Sequence, residues 1–387
     1  MTAIADQYNL IILGTGLAGY TLARDFRKHD TTRSLALVTR DDGAWYSKPM
    51  LSNALAKDKT ASELATRTAD EMAASLDASV ITGCNITDIN TDKKYLIIHE
   101  RKVYFDTLVL CHGASQITLP IDGDGTADVL SVNSLDDYAL FRDRLDGVGH
   151  VAIMGPGLIG CEFANDLANV GIQVSVIGPD SAPLERLLPP EASAALKTAL
   201  SSLGVSWHLE TVVDHITRTN TGYRLTLADG HTLEAGQVLS AAGLRPNIAL
   251  AQSAGLKTGR GILVDRHLCT SHPDVYALGD CIELGGRLWP YVLPIMHGSK
   301  ALAQTLSGSP TPVVLPAMPV AIKTPAHSIV VASPPPDAQG DWTTTSDDHG
   351  VRALYESADG LLLGFVLTGQ HVKEKMKLER TMPAVLS

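Results

Sequence analysis

Two glycine-rich turns about 140 residues apart constrain this chain more than any other feature: Gly14-Thr15-Gly16-Leu17-Ala18-Gly19 and Gly155-Pro156-Gly157-Leu158-Ile159-Gly160. Each follows a short apolar run, residues 10–13 or 151–154, and each opens a stretch of helical character. In such a turn the first glycine permits the bend. The second lets the backbone approach a pyrophosphate, and the third lets the helix pack against the strand. Bare N–H groups at the helix start favour phosphate charge by ~0.3–1 kcal/mol. One such turn could end an ordinary strand. Two in strand–turn–helix context imply two dinucleotides, one delivering electrons and one receiving them.

The rest of the composition narrows the class. A chain of 387 residues is long enough for two or three domains, and 45% hydrophobic with 19% charged residues is ordinary for a globular protein. A net charge of −11 argues against nucleic acid, which calls for a clustered basic surface. No apolar run approaches the ~20 residues that span a bilayer, and the first one leads straight into the glycine turn. We therefore expect no membrane insertion, a cytoplasmic location and a monomer. The five cysteines, Cys84, Cys111, Cys161, Cys269 and Cys281, form neither a Cys-x-x-Cys pair nor a zinc spacing. They read mostly as buried, inert thiols, which removes a disulfide relay from any mechanism.

The order along the chain is that of an α/β protein. The first unit runs strand, turn, helix over 17–29 and strand over 35–39, then a helical region over 54–76 with Asp58, Thr60 and Ser62 as candidate caps. Short strands are expected at 80–81, 86–89 and 95–98, and a buried one at 107–111 ends in His112-Gly113-Ala114. Residues 151–177 repeat strand, turn, helix, strand, an internal duplication in pattern. An Asp-Gly hairpin spans 223–233. A strand at 238–241 then exits through Gly243-Leu244-Arg245-Pro246-Asn247, as the earlier one exits through Gly113. A further strand ends in Tyr276-Ala277-Leu278-Gly279-Asp280. The last ~70 residues are proline-rich, with a second hairpin over 351–367 and a lysine-bearing helix over 372–380. Neither glycine turn has an acid at the end of its following strand, where a ribose is bound ~20 residues on. Asp41 or Asp42 could substitute in the first unit, or form a solvated turn. In the second, Gly178-Pro179-Asp180 follows with no arginine immediately after, which leans weakly towards NADH over NADPH.

Taken together and in this order, the two turns, the Gly113 and Gly243 exits and the Gly279-Asp280 pair resemble the two-dinucleotide flavoprotein reductases of the glutathione-reductase fold. That resemblance implies two Rossmann-like dinucleotide-binding domains and a C-terminal α+β cap. It divides the chain into 1–114 and 241–316 for FAD, 115–240 for NAD(H) and 317–387 for the cap. It also implies a tightly bound FAD on Gly14, Gly16, Leu17, Ala18 and Gly19 with Asp41, Gly113 and Asp280. NADH falls to Gly155, Gly157, Leu158, Ile159 and Gly160, with Gly243 among the cofactor-binding residues. No metal site is expected.

Where disulfide reductases and NADH peroxidases carry redox cysteines, this chain has Trp45-Tyr46-Ser47-Lys48-Pro49-Met50-Leu51-Ser52. That segment is similar to the branch reducing one-electron iron–sulfur carriers. With residues 157–167 and 318–325 it most resembles the bacterial rubredoxin–NAD reductases. The resemblance implies hydride transfer from NADH to the flavin and single-electron transfer to rubredoxin, often in the service of an alkane hydroxylase. It places Lys48 and Pro49 beside the flavin and Glu162 on its NADH side. A buried Lys48–Glu162 pair is expected, the carboxylate offsetting the lysine's desolvation. Lys323 is the third candidate, reaching the flavin if the cap folds over it. His112 and His297 read as core or surface histidines. The carrier is expected to be acidic, with Lys373, Lys375, Lys377 and Arg380 as a local steering surface or a solvated helix face. The alternatives are a ferredoxin or flavorubredoxin reductase, and an NADH-binding redox sensor related to apoptosis-inducing factor.

Overall fold

The computed structural model describes residues 4–387. Continuous apolar runs such as Leu10-Ile11-Ile12-Leu13, all buried, suit parallel strands covered on both faces. The first sheet runs Ser79–Ile81, Leu35–Val38, Gln7–Leu13, Arg101–Leu110, all parallel. On the far side of Arg101–Leu110, its first half pairs antiparallel with Tyr95–Ile98 and its second half pairs parallel with Val275–Ala277. The second glycine turn lies on a separate parallel sheet, ordered Val205–Leu209, Gln173–Gly178, His150–Met154, Gln237–Ser240. A three-stranded meander, Val213–Thr219, Gly222–Leu227 and Thr232–Ala235, turns at Gly230 as the Asp-Gly signal predicts. The C-terminal sheet has five antiparallel strands, ordered Val320–Ile322, Ile329–Ala332, Leu362–Thr368, Gly350–Glu356, Asp341–Asp347. Its Ile322, Ile329, Val331, Val351 and Val366 share one core with Val151, Phe163 and Leu51, so the cap is packed onto the second unit.

Three local expectations need correction. Residues 54–76 are not one helix but two short ones, Ala61–Leu64 and Ala69–Leu76, preceded by a 3-10 turn, Lys48–Asn53. The break comes from the backbone of residues 66 and 67, which bonds Trp45 instead of continuing the helix. Thr60 caps the first helix in a capping box with Glu63, and Thr68 repeats the motif with Glu71. Asp58 sits at φ 49° and Ser62 lies inside the helix, so neither caps it. The strand expected at 86–89 shrinks to Ile89–Asn90, and the final helix divides into Gly369–Glu374 (3-10) and Lys375–Glu379.

The two glycine exits meet. Ala114–Gln116 and Leu244–Pro246 form a two-stranded antiparallel ribbon between the sheets. Asn247 pins it: its Nδ2 donates to the His112 carbonyl at 2.9 Å, its Oδ1 accepts from Ser115 Oγ at 2.7 Å, and its backbone N donates to the Gly113 carbonyl. Beside this strut, His112 buries an Nε2 with no partner, and burial lowers its pKa from 6.5 to about 4. Asn247→Ala should cost about 1–3 kcal/mol, because it strands the Ser115 hydroxyl and the His112 carbonyl together. Denaturant titration should show a lower midpoint. His112 binds fewer protons folded than unfolded between pH 6.5 and 4, so its share of stability is complete above pH 6.5 and lost as pH falls towards 4. Stability measured against pH should therefore fall across this window in the parent and flatten in His112→Gln.

Candidate functional site

Both glycine turns have the predicted geometry, and they share the hydrogen bond made by their first glycine. Gly14 N donates to the Val38 carbonyl and Gly155 N to the Ile177 carbonyl, each at 2.8 Å. Gly14 and Gly155 stand at φ +112° and +120°, and a Cβ on either would strike a carbonyl, that of Cys111 at 2.3 Å or Ala241 at 2.5 Å. A Cβ on Gly19 or Gly160 would lie 1.9 Å from the carbonyl of the first glycine in its own turn. Gly16 and Gly157 differ: a Cβ there meets nothing within 4 Å. They are the N-caps of helices Leu17–Arg27 and Leu158–Asn169, which lack a side-chain cap and any first-turn acid. Each turn is thus an open cradle ending in free N–H groups, the form a pyrophosphate requires.

The surroundings of the two cradles are unequal. Over the first, Gly279 returns at φ +94°, so close that a Cβ would approach the Ala18 methyl to 2.9 Å. This return delivers Asp280 to the same site as Lys48. Burial raises the Asp280 pKa, opposed by Lys48, and burial lowers the Lys48 pKa, with Asp280 the largest opposing charge. In the second turn the residue matching Ala18 is Ile159, which is 39% exposed. Of the two acids beyond the first following strand, Asp41 is the one bonded to the turn. Asp41 accepts from Thr39 Oγ1 at 2.6 Å, Gly43 N at 3.1 Å and Thr15 Oγ1 at 3.4 Å, so it faces the glycine turn. Asp42 accepts from Ala44 N.

The expected Lys48–Glu162 pair does not form. Glu162 is 1% exposed, and its two oxygens are already taken. Oε1 accepts from Lys323 N at 2.9 Å, and Oε2 accepts from Ser52 Oγ at 2.5 Å and from Lys323 Nζ. Lys48 Nζ instead donates to Asn133 Oδ1 at 3.1 Å, and Asn133 Nδ2 donates to the Ala114 carbonyl. Lys323 therefore enters the site as the partner of Glu162. Two neighbours of Glu162 on the same helix face do similar work. Asn165 Oδ1 accepts from Ala326 N, while Asp166 accepts from Leu55 N and Ala56 N.

Lys48, Pro49 and Asp280 thus gather near the Gly113 exit (φ +64°), Asp41 beside the first turn, and Glu162 with Lys323 on the helix of the second. Gly243, at φ +108°, marks the matching exit of the second unit. Asn133, Ser52 and Asn165 were not singled out from the sequence. Ser52 stands in the Lys-Pro-Met-Leu-Ser segment, but nothing near Asn133 in sequence marks it. Four cysteines are buried and Cys269 half-buried, with no disulfide among the described residues. Burial pushes the Cys161 thiol well up and Cys281 to about 11, as suits inert thiols.

Comparison with known proteins agrees with this geometry. Residues 8–304 match the family described as pyridine nucleotide-disulphide oxidoreductase, and residues 312–382 match the rubredoxin binding C-terminal domain. The chain is 45% identical to a rubredoxin-NAD(+) reductase of Alcanivorax borkumensis, covering 98% of this chain and 100% of that one. It is 42% identical to the protein of the same name from Acinetobacter baylyi, over 98% and 99%. It is 36% identical to a nitric oxide reductase FlRd-NAD(+) reductase of Citrobacter koseri, over 97% of this chain and 99% of that one. In fold it is similar to a ferredoxin reductase from Rhodopseudomonas palustris, with TM-score 0.88 at 24% identity over 98% of this chain and 96% of that one. The chain belongs to the pyridine nucleotide-disulphide oxidoreductase family, whose two-dinucleotide architecture its paired glycine turns and linking ribbon reproduce.

Proposed function

We propose that this protein is a rubredoxin–NAD(+) reductase, taking a hydride from NADH and passing two electrons, one at a time, to two rubredoxins. The reaction balances: one NADH becomes NAD+ with release of one proton, and each carrier gains one electron. The observation that carries this reading is the cap. The segment matching the rubredoxin binding domain sends Lys323 to the buried Glu162 on the helix of the second glycine turn. An ion pair thereby links the proposed acceptor-binding and NADH-binding parts, beside the apolar core they share. The relatives at 45% and 42% identity carry the same printed activity. The Alcanivorax relative also suggests an alkane-oxidising system as the electron consumer. We place the reaction in the cytoplasm, since its free thiols fit a reducing compartment. No helix among the described residues is long and apolar enough to cross a membrane.

The first cradle suits FAD. Gly14, Gly16, Leu17, Ala18 and Gly19 would hold its pyrophosphate, Asp41 a ribose hydroxyl, and Gly113 and Asp280 the chain leading to the ring. When bound, FAD supplies the chemistry of accepting a hydride and releasing single electrons. Lys48, next to Pro49, brings a cation to the ring site and Asn133 fixes its direction. Gly155, Gly157, Leu158, Ile159 and Gly160, with Gly243 nearby, would bind NADH at the second cradle. Glu162, held by Lys323 from the cap, would help orient the nicotinamide against the flavin, and such orientation would supply much of the rate. A flavorubredoxin acceptor is the second reading, favoured by the relatives named for that activity.

NADH oxidation assayed with rubredoxin and ferredoxin side by side tests the proposal. We expect a yellow protein and faster turnover with rubredoxin; equal rates, or a colourless protein, would refute it. Lys373, Lys377 and Arg380 are exposed and Lys375 is half-buried, next to Met376 at 63% exposure. Reversing Lys373 and Lys377 together should slow rubredoxin reduction while leaving NADH-to-dye turnover intact, an effect that should fade as salt rises. Lys323→Ala leaves Glu162 buried without its cation and should destabilise the protein by about 3–5 kcal/mol. Adding Glu162→Gln should restore most of that loss in a thermal melt.

A further inference from the structure

The two lysines of the site end on different chemistry. Lys323 meets the Glu162 carboxylate, which cancels its charge. Lys48 meets a neutral amide, Asn133 Oδ1 at 3.1 Å. Acids are not lacking there: Asp280, Asp137 and Asp41 all attract Lys48, with Arg40 opposing them. Among the described residues none of these carboxylates forms an ion pair with it. The amide itself is fixed from two sides. Its Nδ2 donates to the Ala114 carbonyl at 2.9 Å, an atom that can only accept, which leaves Oδ1 for the lysine. Ala114 belongs to the ribbon between the sheets, where it pairs with Pro246. On the other side, Asn133 N donates to Asp137 Oδ2 at 2.9 Å. Asp137 stands in the first turn of helix Leu135–Asp143, capped by Ser134, where the helix end favours its charge. Ribbon and helix thus set the direction of the Asn133 side chain independently of Lys48.

We infer that Asn133 is a positioning residue that sets the reduction potential of the bound flavin, by fixing the Lys48 ammonium at the ring site without cancelling its charge. The inference rests on the first cradle holding FAD with Lys48 beside the ring. A reduced flavin carries negative charge that the oxidised ring lacks, so a cation beside it favours reduction. A carboxylate partner would make the pair neutral overall and remove most of that preference, whereas an amide leaves the charge whole. Released from Asn133, Lys48 is free to move onto one of the three carboxylates that already attract it.

The test is the midpoint potential of the FAD-loaded protein, read by dithionite titration against an indicator dye of known potential. Asn133→Ala should weaken the preference for reduced over oxidised FAD about tenfold, a potential about 30 mV lower for a two-electron couple. Asn133→Asp, nearly the same in shape, is the second variant; its carboxylate pairs with Lys48 directly and should lower the potential at least as far. Lys48→Met alone should also lower it, and adding Asn133→Ala to Lys48→Met should change nothing further. That last comparison separates action through Lys48 from a loosened fold, which would lower the potential in either background. A parent potential in Asn133→Ala or Asn133→Asp, a parent potential in Lys48→Met, or an equal fall on adding Asn133→Ala to Lys48→Met would overturn the inference. A parent protein that binds no FAD would instead remove the assignment of the first cradle.

Discussion

One buried carboxylate holds this molecule's parts in relation. Glu162 is almost wholly enclosed, and an ion withdrawn from water costs several kcal/mol unless its oxygens are fully bonded. Its donors come from two other parts of the chain, Ser52 before it and Lys323 in the cap. The same helix then offers Asn165 and Asp166, three and four residues on and hence on the same face, to Ala326 and to Leu55 with Ala56. Three polar side chains on one helix thus determine where the Lys48–Asn53 turn and the cap loop may sit. Apolar residues would fill that space as well, but they would tolerate sliding. Buried hydrogen bonds do not, because each lost partner leaves an unpaired group.

The glycine turns and their order were legible because the chemistry of a phosphate cradle demands particular residues at particular spacings. The hairpins at Gly230 and at 357–360 were legible for the same reason, as turns with positive φ need glycine. Residues 54–76 were misread because alanine and charge promise a helix locally. The Trp45–Arg67 bridge that interrupts it is a tertiary contact. The partner of Glu162 was misassigned on similar grounds. A lysine at 48 and one at 323 are equally available in sequence, and only the packing of the cap chooses. Asn133 carried no local signal, since it acts through partners 19 and 85 residues away.

The duplication also explains how one chain treats two dinucleotides differently. The turns share their first hydrogen bond, their steric need for glycine and their uncapped helices. They differ in what lies above them. Ala18 is covered by Gly279, so closely that a Cβ on Gly279 would come within 2.9 Å of the Ala18 methyl. At this point the chain itself covers the first cradle. The matching Ile159 is 39% exposed, so no such return covers the second cradle there. The inequality suits the proposed assignment of a retained cofactor to the first cradle and an exchanging substrate to the second. Here it follows from one pair of residues, a small Ala18 where the fold returns and a large Ile159 where it does not.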